Sequence, residues 1–288
     1  MEVFLRMSEE TGMRTELVIS TYNSPHALRL TLLSTLRQTC PPDSICIADD
    51  GSGPETRAAI DRIQAEHPAL PLRHVWHEDR GFEKNAILNR AVATSDADLM
   101  IFTDGDCMMH PCFVARHVEL SGPRRYACGS LIRLTSEATA SVTEEDVTTG
   151  RVFGRDWLGA HGTFDRMTTR LKAMPLPRPL LSALEVASPV RRTWSGCNAS
   201  AYRDAIVAVN GFDERMKYGG EDKEFGIRLA NSGIRGRHLR FTAPLVHLDH
   251  ARGYVHADRV RENRQRIIEV RKSGRSWTPD GLIKGAAP

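Results

Sequence analysis

From about residue 15 the chain alternates short apolar runs with longer amphipathic stretches, the pattern of strands followed by helices in an α/β protein. Glu16-Leu17-Val18-Ile19-Ser20 reads as a buried strand. From Pro25, a plausible first-turn proline, Leu28, Leu32, Leu33 and Leu36 fall on one helical face. Ser44 to Ala48 predicts a second strand, Pro54 to about Glu66 a helix, Leu72 to Trp76 a third strand, Glu83 to Thr94 a helix and Asp98 to Thr103 a fourth strand. Residues 135–192 lack a clean period and gather Pro175, Pro177, Pro179 and Pro189 among Arg170, Lys172, Arg178, Arg191 and Arg192. They are expected to be irregular, with one short amphipathic helix around Phe164 to Met174. Regular structure is expected to return at Trp194: a helix near Tyr202 to Val209, a turn at Asn210-Gly211, a helix through Leu229, strands near 237–241 and 245–248, and a basic C-terminal helix.

Each predicted strand of the first half ends in a polar motif: Thr21-Tyr22-Asn23, Asp49-Asp50-Gly51-Ser52, Asp79-Arg80-Gly81-Phe82 and Asp104-Gly105-Asp106. In open, mostly parallel sheets the ligand crevice lies beyond the carboxyl ends of the strands, so these four loops are expected on one rim. Asp104 and Asp106 offer the hard oxygen ligands that Mg²⁺ and Mn²⁺ take, although a solvated turn uses the same residues. Asp49 or Asp50 can accept hydrogen bonds from a nucleobase imide or a ribose hydroxyl, and Thr21, Tyr22 and Asn23 bring further polar groups; an Asx turn closing the second strand would use the same Asp-Gly-Ser residues. Arg80 or Lys84 can offset diphosphate charge, with Gly81 and Asn85 in the same loop. Glu221-Asp222, after Gly219-Gly220, places two carboxylates pointing different ways at a helix start, one to hold an acceptor and one to take its proton. Capping of that helix would also account for them.

Composition narrows the classes. At 288 residues and 41% hydrophobic content the chain can bury a sizeable core, and it holds no apolar run long enough to span a membrane. Without a signal-peptide pattern the expectation is a cytoplasmic protein, at most peripheral at the inner membrane face. The six cysteines form no C-x-x-C pair and are assigned no chemistry. The net charge of +3 is uneven: residues 252–275 carry eight basic residues against Asp258, Glu262 and Glu269. This tail and the basic segment 164–192 are expected to offer a surface for an anionic or membrane-associated acceptor. Few aromatics are interleaved there, which argues against nucleic acid.

Taken in order, Ser20 to Asn23, Asp49 to Ser52, Gly81 to Asn85, Asp104 to Asp106, Trp194 to Asn198 and Gly219 to Asp222 resemble family 2 glycosyltransferases of the GT-A fold. The later half looks like the carboxyl-terminal region shared by chondroitin-polymerase modules and β-1,4-galactosyltransferases. The resemblance implies a Rossmann-like mixed sheet flanked by helices. It divides the chain into an extension (1–14), a nucleotide-sugar-binding half (15–134), an acceptor-facing insertion (135–192), an acceptor-binding and catalytic half (193–250) and a basic helix and tail (251–288). It implies an inverting, metal-dependent transfer from a nucleotide sugar, a UDP-sugar being expected, to a saccharide or lipid-linked glycan. By resemblance the first two loops hold the nucleoside and Asp104 and Gly105 meet the donor. Asp222 is the base and Glu221 its substrate-binding partner, while Gly196, Tyr218, Gly219 and Gly220 line the acceptor side. Trp194 offers an apolar face to a sugar ring or else is a buried core tryptophan, and Asn198 offers contacts to sugar hydroxyls. Mn²⁺ (or Mg²⁺) would be held by Asp104 and Asp106, with His247 or His250 as a third ligand; the galactosyltransferase-like pattern matches the histidine to His250. Related transferases often have a basic residue where this chain has Glu83. The alternatives are a nucleotidyltransferase acting on sugar phosphates, which would want a glycine-rich basic loop where Ser20 to Asn23 stand, and a non-catalytic carbohydrate-binding module, which would not need both acidic pairs.

Overall fold

In chain order the strands are β1 (Thr15–Thr21), β2 (Ser44–Asp49), β3 (Leu72–Trp76), β4 (Leu99–Asp104), β5 (Cys107–Met109), β6 (Arg125–Gly129), β7 (Leu131–Arg133), β8 (Ala199–Tyr202), β9 (Arg235–Leu239) and β10 (Leu245–His247). The helices are α1 (Pro25–Thr35), α2 (Pro54–Glu66), α3 (Lys84–Ala93), α4 (Phe113–Leu120), α5 (Ser136–Ser141), α6 (Glu144–Thr149), α7 (Arg155–Ala160), α8 (Met167–Lys172), α9 (Arg178–Ala187), α10 (Arg203–Ala208), α11 (Glu221–Asn231) and α12 (Ala257–Ser273). They come from a computed structural model that describes residues 12–165, 167–251 and 256–285. Most of the expected N-terminal extension, and Arg252 of the basic tail, lie outside the described residues.

Strand β1 sets the architecture. Its pleat sends Leu17 and Ile19 to one face and Val18 to the other, and both faces are apolar because helices cover both. Leu17, Ile19, Ile45, Ile47, Leu99 and Ile101 pack with leucines of α1 and with Ile60 and Ile63 of α2. On the opposite face Val18, Cys46, Met100 and Phe102 pack with Ile87 and Leu88 of α3 and with Phe225 and Leu229 of α11. Pro25 and Pro54 open α1 and α2 at positions where a missing N–H costs nothing.

The main sheet has the order β3-β2-β1-β4-β8-β6-β9. Strands β1 to β4 are parallel, β8 is antiparallel to both β4 and β6, and β9 is parallel to β6. The carboxyl ends of β1 to β4, β6 and β9 therefore share one rim, which brings the four predicted loops to it. Winding reverses between β1 and β4, where Ser20 stands opposite Asp104, so the Asp-Gly-Asp turn opens at the switch point of the sheet. A small sheet, β5-β10-β7, lies beyond that turn and pairs His247 with Cys107.

Residues 107–134, which carried no sequence-based assignment, form β5, α4, β6 and β7. The stretch 135–192 is more regular than expected, with α5 to α9 among its described residues. Four of these have six residues, too short to display a period, and are started by local chemistry such as the reciprocal Thr143–Asp146 capping box of α6.

Candidate active site

The turn after β4 divides its two aspartates. Asp104 faces β1, and its Oδ1 accepts hydrogen bonds from Ser20 Oγ at 2.7 Å and from Lys84 Nζ at 2.5 Å. Gly105 lets the chain reverse against β1: its N–H donates to the Ser20 carbonyl at 2.7 Å, and a Cβ there would meet Thr21 at 3.1 Å. Asp106 then points toward β10. His250 Nε2 lies 3.0 Å and His247 Nε2 3.8 Å from Asp106 Oδ2. One ligand atom from each of the three falls within 4.8 Å of the others. Burial would raise the Asp106 pKa, but the His250 hydrogen bond and the two imidazoles outweigh it and hold the carboxylate ionised. Burial lowers that of His247, so its ring tends to be neutral, the form that binds a metal.

The third acidic element is the start of α11. Gly196 N–H donates to Asp222 Oδ2 at 2.8 Å, and a Cβ at Gly196 would lie 2.5 Å from Asp222 Oδ1, so only glycine leaves room for the carboxylate. Asp222 is raised to about 6, mainly by burial; Lys84 pulls it down, while Glu221 and Asp104 push it up. Burial would lower the Lys84 pKa, but Asp104 and Asp222 outweigh it and keep the ammonium charged. One cation thus lies among Asp104, Asp222 and Glu221. Glu221 Oε2 accepts the Gly219 N–H at 2.7 Å. Deeper in α11 the buried Arg228–Glu224 pair, 2.7 Å apart, ties the helix to the Val209 carbonyl.

The family model for glycosyl transferase family 2 matches residues 16–158, and a model described as the N-terminal domain of galactosyltransferase matches residues 180–251. The chain belongs to glycosyltransferase family 2. It is 25% identical over 287 residues to an uncharacterized glycosyltransferase of Bacillus subtilis, YfnE, covering 87% of this chain and 69% of the relative. It is 27% identical over 240 residues to the chondroitin synthase of Escherichia coli, covering 75% of this chain but 32% of that much longer enzyme. Among solved structures, S. aureus TarS 1-349 in complex with UDP-GlcNAc aligns with a TM-score of 0.61 at 14% identity, over 90% of this chain and 66% of that one. The mannosyltransferase PcManGT from Pyrobaculum calidifontis, in complex with GDP-Man and Mn²⁺, aligns with a TM-score of 0.54 at 20% identity, over 84% of this chain and 58% of that one. The fold is that of GT-A glycosyltransferases.

The transferase brings together Asp104, Lys84, Asp222 and Glu221, and separately Asp106, His247 and His250. Asp104 lies outside that three-residue cluster, although its charge reaches His247 and opposes the lowering of the imidazole pKa. Several other sequence candidates turn inward. Asp49 is 1% exposed, its oxygens taken by the Ser52 N–H at 2.8 Å and His74 at 3.0 Å; it builds its loop and presents no oxygen to the rim. Asp50 is buried too, bonded to His77 at 2.8 Å and to the Glu83 N–H at 3.0 Å. Asn23, by contrast, stays exposed; with φ 45° it accepts the Gly53 N–H at the start of α2. Asn85 donates to the Asp213 carbonyl at 2.8 Å. Asn198 is fully buried between His117 and the Ser130 carbonyl, at 3.1 and 3.0 Å, so its amide cannot reach a sugar hydroxyl. Trp194 is no wall of the crevice: it is buried in edge contact with Phe102 and Phe225, and Gly226 of α11 lies against it.

Thr21 stays at the rim with a buried hydroxyl that has no hydrogen-bond partner among the described residues. Tyr22 is 46% exposed, its hydroxyl bonded to Asp79 at 2.9 Å. Arg80 is exposed beside Glu78, and Gly81 turns that loop at φ 82°. Phe82 meets Tyr218 edge to face at 5.8 Å, and Glu83, the departure from related transferases, pairs with Lys217 at 3.1 Å. These two contacts join the third loop to the segment before α11. Gly219 and Gly220 adopt φ 113° and 102° under Val260 and Ile267 of α12, so backbone conformation and close approach account for the Gly-Gly pair. Sequence reasoning passed over Ser20, which fixes Asp104. Its signal was its place at the head of the Ser20 to Asn23 motif, a position given no role.

Proposed function

We propose that this transferase moves a sugar, with inversion, from a UDP-sugar to a saccharide or lipid-linked glycan, aided by a divalent cation. The observation that carries the reading is the convergence of two acidic groups distant in sequence: Asp222, with a pKa near 6, faces the same lysine as Asp104, two residues before the Asp106–His247–His250 cluster.

That cluster fits Mn²⁺ (or Mg²⁺ with more water), one carboxylate oxygen and two imidazole nitrogens leaving positions for diphosphate oxygens. When bound, the ion would supply Lewis-acid stabilisation of the departing nucleoside diphosphate. Lys84 adds a fixed positive charge beside Asp104, where that diphosphate would lie. Asp222 accepts the proton of the acceptor hydroxyl as that oxygen attacks the anomeric carbon; a base with a pKa near 6 is mostly ionised at neutral pH. In-line attack converts an α-linked donor to a β-linked product. Glu221 and Tyr218 flank the acceptor, and Thr21, Tyr22 and Arg80 offer donor contacts. The complexes of TarS with UDP-GlcNAc and of PcManGT with GDP-Man and Mn²⁺ support a nucleotide-sugar donor, and the relative named chondroitin synthase supports a saccharide acceptor.

The test is release of UDP from a panel of UDP-sugars with Mn²⁺ present and after chelation, with anomeric configuration of the product read by NMR. Metal-dependent release and a β-linked product are expected. A product of retained configuration, or equal rates after chelation, would refute the mechanism. Formation of a nucleotide sugar from a sugar phosphate would favour the nucleotidyltransferase alternative.

A further inference from the structure

Helix α9 is built inside out. Its single acidic residue, Glu185, is the only carboxylate between Arg166 and Arg203, and it is buried rather than facing water. Glu185 Oε1 accepts hydrogen bonds from the N–H groups of Phe241 and Thr242, at 2.7 and 2.8 Å, while Oε2 meets Arg116 at 3.1 Å. The helix is thereby fastened by its polar side to the loop after β9. Its apolar residues are left outward: Leu180 is 54% exposed, Leu184 41% and Val186 75%. Leu176 just before α9 and Met167 on α8 extend the same exposed apolar character, and Arg191 and Arg192 lie exposed just beyond it.

Amphipathic helices of soluble domains turn such leucines to the core, so an outward stripe of this kind marks a surface that something apolar covers. Its make-up favours lipid over protein. The exposed large side chains are aliphatic, the one carboxylate of the segment is buried, and exposed Arg191 and Arg192 follow them, while Arg178 at the start of α9 is paired with Glu119. The loop after β9 lies on the same rim as Asp104, because β9 runs parallel to β6 and β6 runs in the direction of β4.

We infer that α8 and α9 dock the transferase onto an anionic lipid bilayer, with the crevice rim beside the membrane surface. Aliphatic side chains enter the headgroup boundary while Arg191 and Arg192 meet lipid phosphates. This deepens the proposed function, on which it rests for the acceptor: a saccharide carried on a membrane lipid.

The experiment is co-sedimentation of the full chain with vesicles of phosphatidylcholine alone and of phosphatidylcholine mixed with phosphatidylglycerol, at low and high salt. Wild type is expected to sediment with the mixed vesicles and to be released by salt. The triple variant Leu180→Ser, Leu184→Ser, Val186→Ser, altered only at exposed positions, should lose partitioning by at least about tenfold, and Arg191→Glu with Arg192→Glu by a similar factor. A control variant, Arg264→Gln with Arg266→Gln on the basic helix α12, should bind as wild type. The inference is overturned if wild type stays in the supernatant, if the triple variant binds equally, or if only the α12 variant loses binding. It is also overturned if wild type proves to be a dimer that the triple variant dissociates, since the stripe would then be a protein interface. UDP release by the same preparations without vesicles is read separately: its absence in wild type would sink the catalytic reading, while the vesicle result would still decide the docking.

Discussion

Asp104 and Asp106 are separated by one glycine, yet they keep different neighbourhoods of direct partners, even though the charge of Asp104 also reaches His247. Asp104 shares Lys84 with Asp222 and is steadied by Ser20, whereas Asp106 faces two imidazoles from the far end of the chain. The first neighbourhood concentrates charge around a lysine, and burial there lifts one carboxylate toward neutrality. In the second, the balance runs the other way, and the carboxylate stays ionised. A strand that ends at a switch point can feed two sites from one turn, provided the spacer is small enough to let the chain reverse against its neighbour. The two sides of the crevice should therefore fail differently when perturbed.

The largest separation is expected from Asp222→Asn. Its kcat should fall by about 10² to 10⁴ with the Mn²⁺ half-saturation unchanged; near-wild-type turnover would remove Asp222 as the base. The same substitution carries a stability signature. Because the folded pKa is raised, the native state holds its proton more tightly than the unfolded chain, so stability is lost as pH rises from the ordinary carboxylate range through about 6. Replacement by the neutral amide should thus raise the melting temperature at pH 8 and leave it nearly unchanged at pH 4. For the wild type, kcat/KM should drop roughly tenfold per pH unit below about 6; a profile flat down to pH 5 would exclude the assignment.

Trp194→Ala tests whether that ring serves the fold. It should cost about 3 to 5 kcal/mol of stability, measured by denaturant titration, whereas an acceptor wall would give a raised acceptor KM in a fully stable protein. On the metal side, His250→Ala and His247→Ala should each weaken Mn²⁺ activation by more than the roughly tenfold that loss of an outer partner costs. Asp104→Asn should instead act chiefly on the donor KM. Equal loss of Mn²⁺ affinity in all three would merge the two neighbourhoods into one. The smallest effect is expected from Arg80→Ala: stability within about 0.5 kcal/mol of wild type, with a few-fold rise in donor KM if the guanidinium reaches the diphosphate.

The strand-and-helix skeleton of the first half was legible because β1, β2 and β4 are buried on both faces and read as continuous apolar runs, with Pro25 and Pro54 marking helix starts. The rim followed from that skeleton, since parallel strands can place their following loops only at one end. Side-chain direction was not legible. Asn198 and Asn85 carry the right chemistry for a ligand, but their partners, His117 and the Asp213 carbonyl, are set by tertiary packing that no local pattern encodes, whereas Asp49 is held in part by the Ser52 N–H of its own Asp-Gly-Ser turn. Gly219-Gly220 invited a functional explanation because nothing nearby in sequence betrays the helix that presses on it. Stretch 135–192 hid its helices for a different reason: they are short, and α9 reverses the usual rule that the carboxylate faces water.

The contact between the glycine pair and α12 has a practical corollary. Val260 and Ile267 sit where any side chain on Gly219 or Gly220 would collide, so the backbone that carries Asp222 into the crevice is braced from outside by the last long helix. Enlarging either of those two aliphatic residues would push on the acidic helix start without touching a polar atom. Anyone redesigning acceptor preference should treat that distant helix as part of the same machine, and choose fusion points or tags that leave its inner face undisturbed.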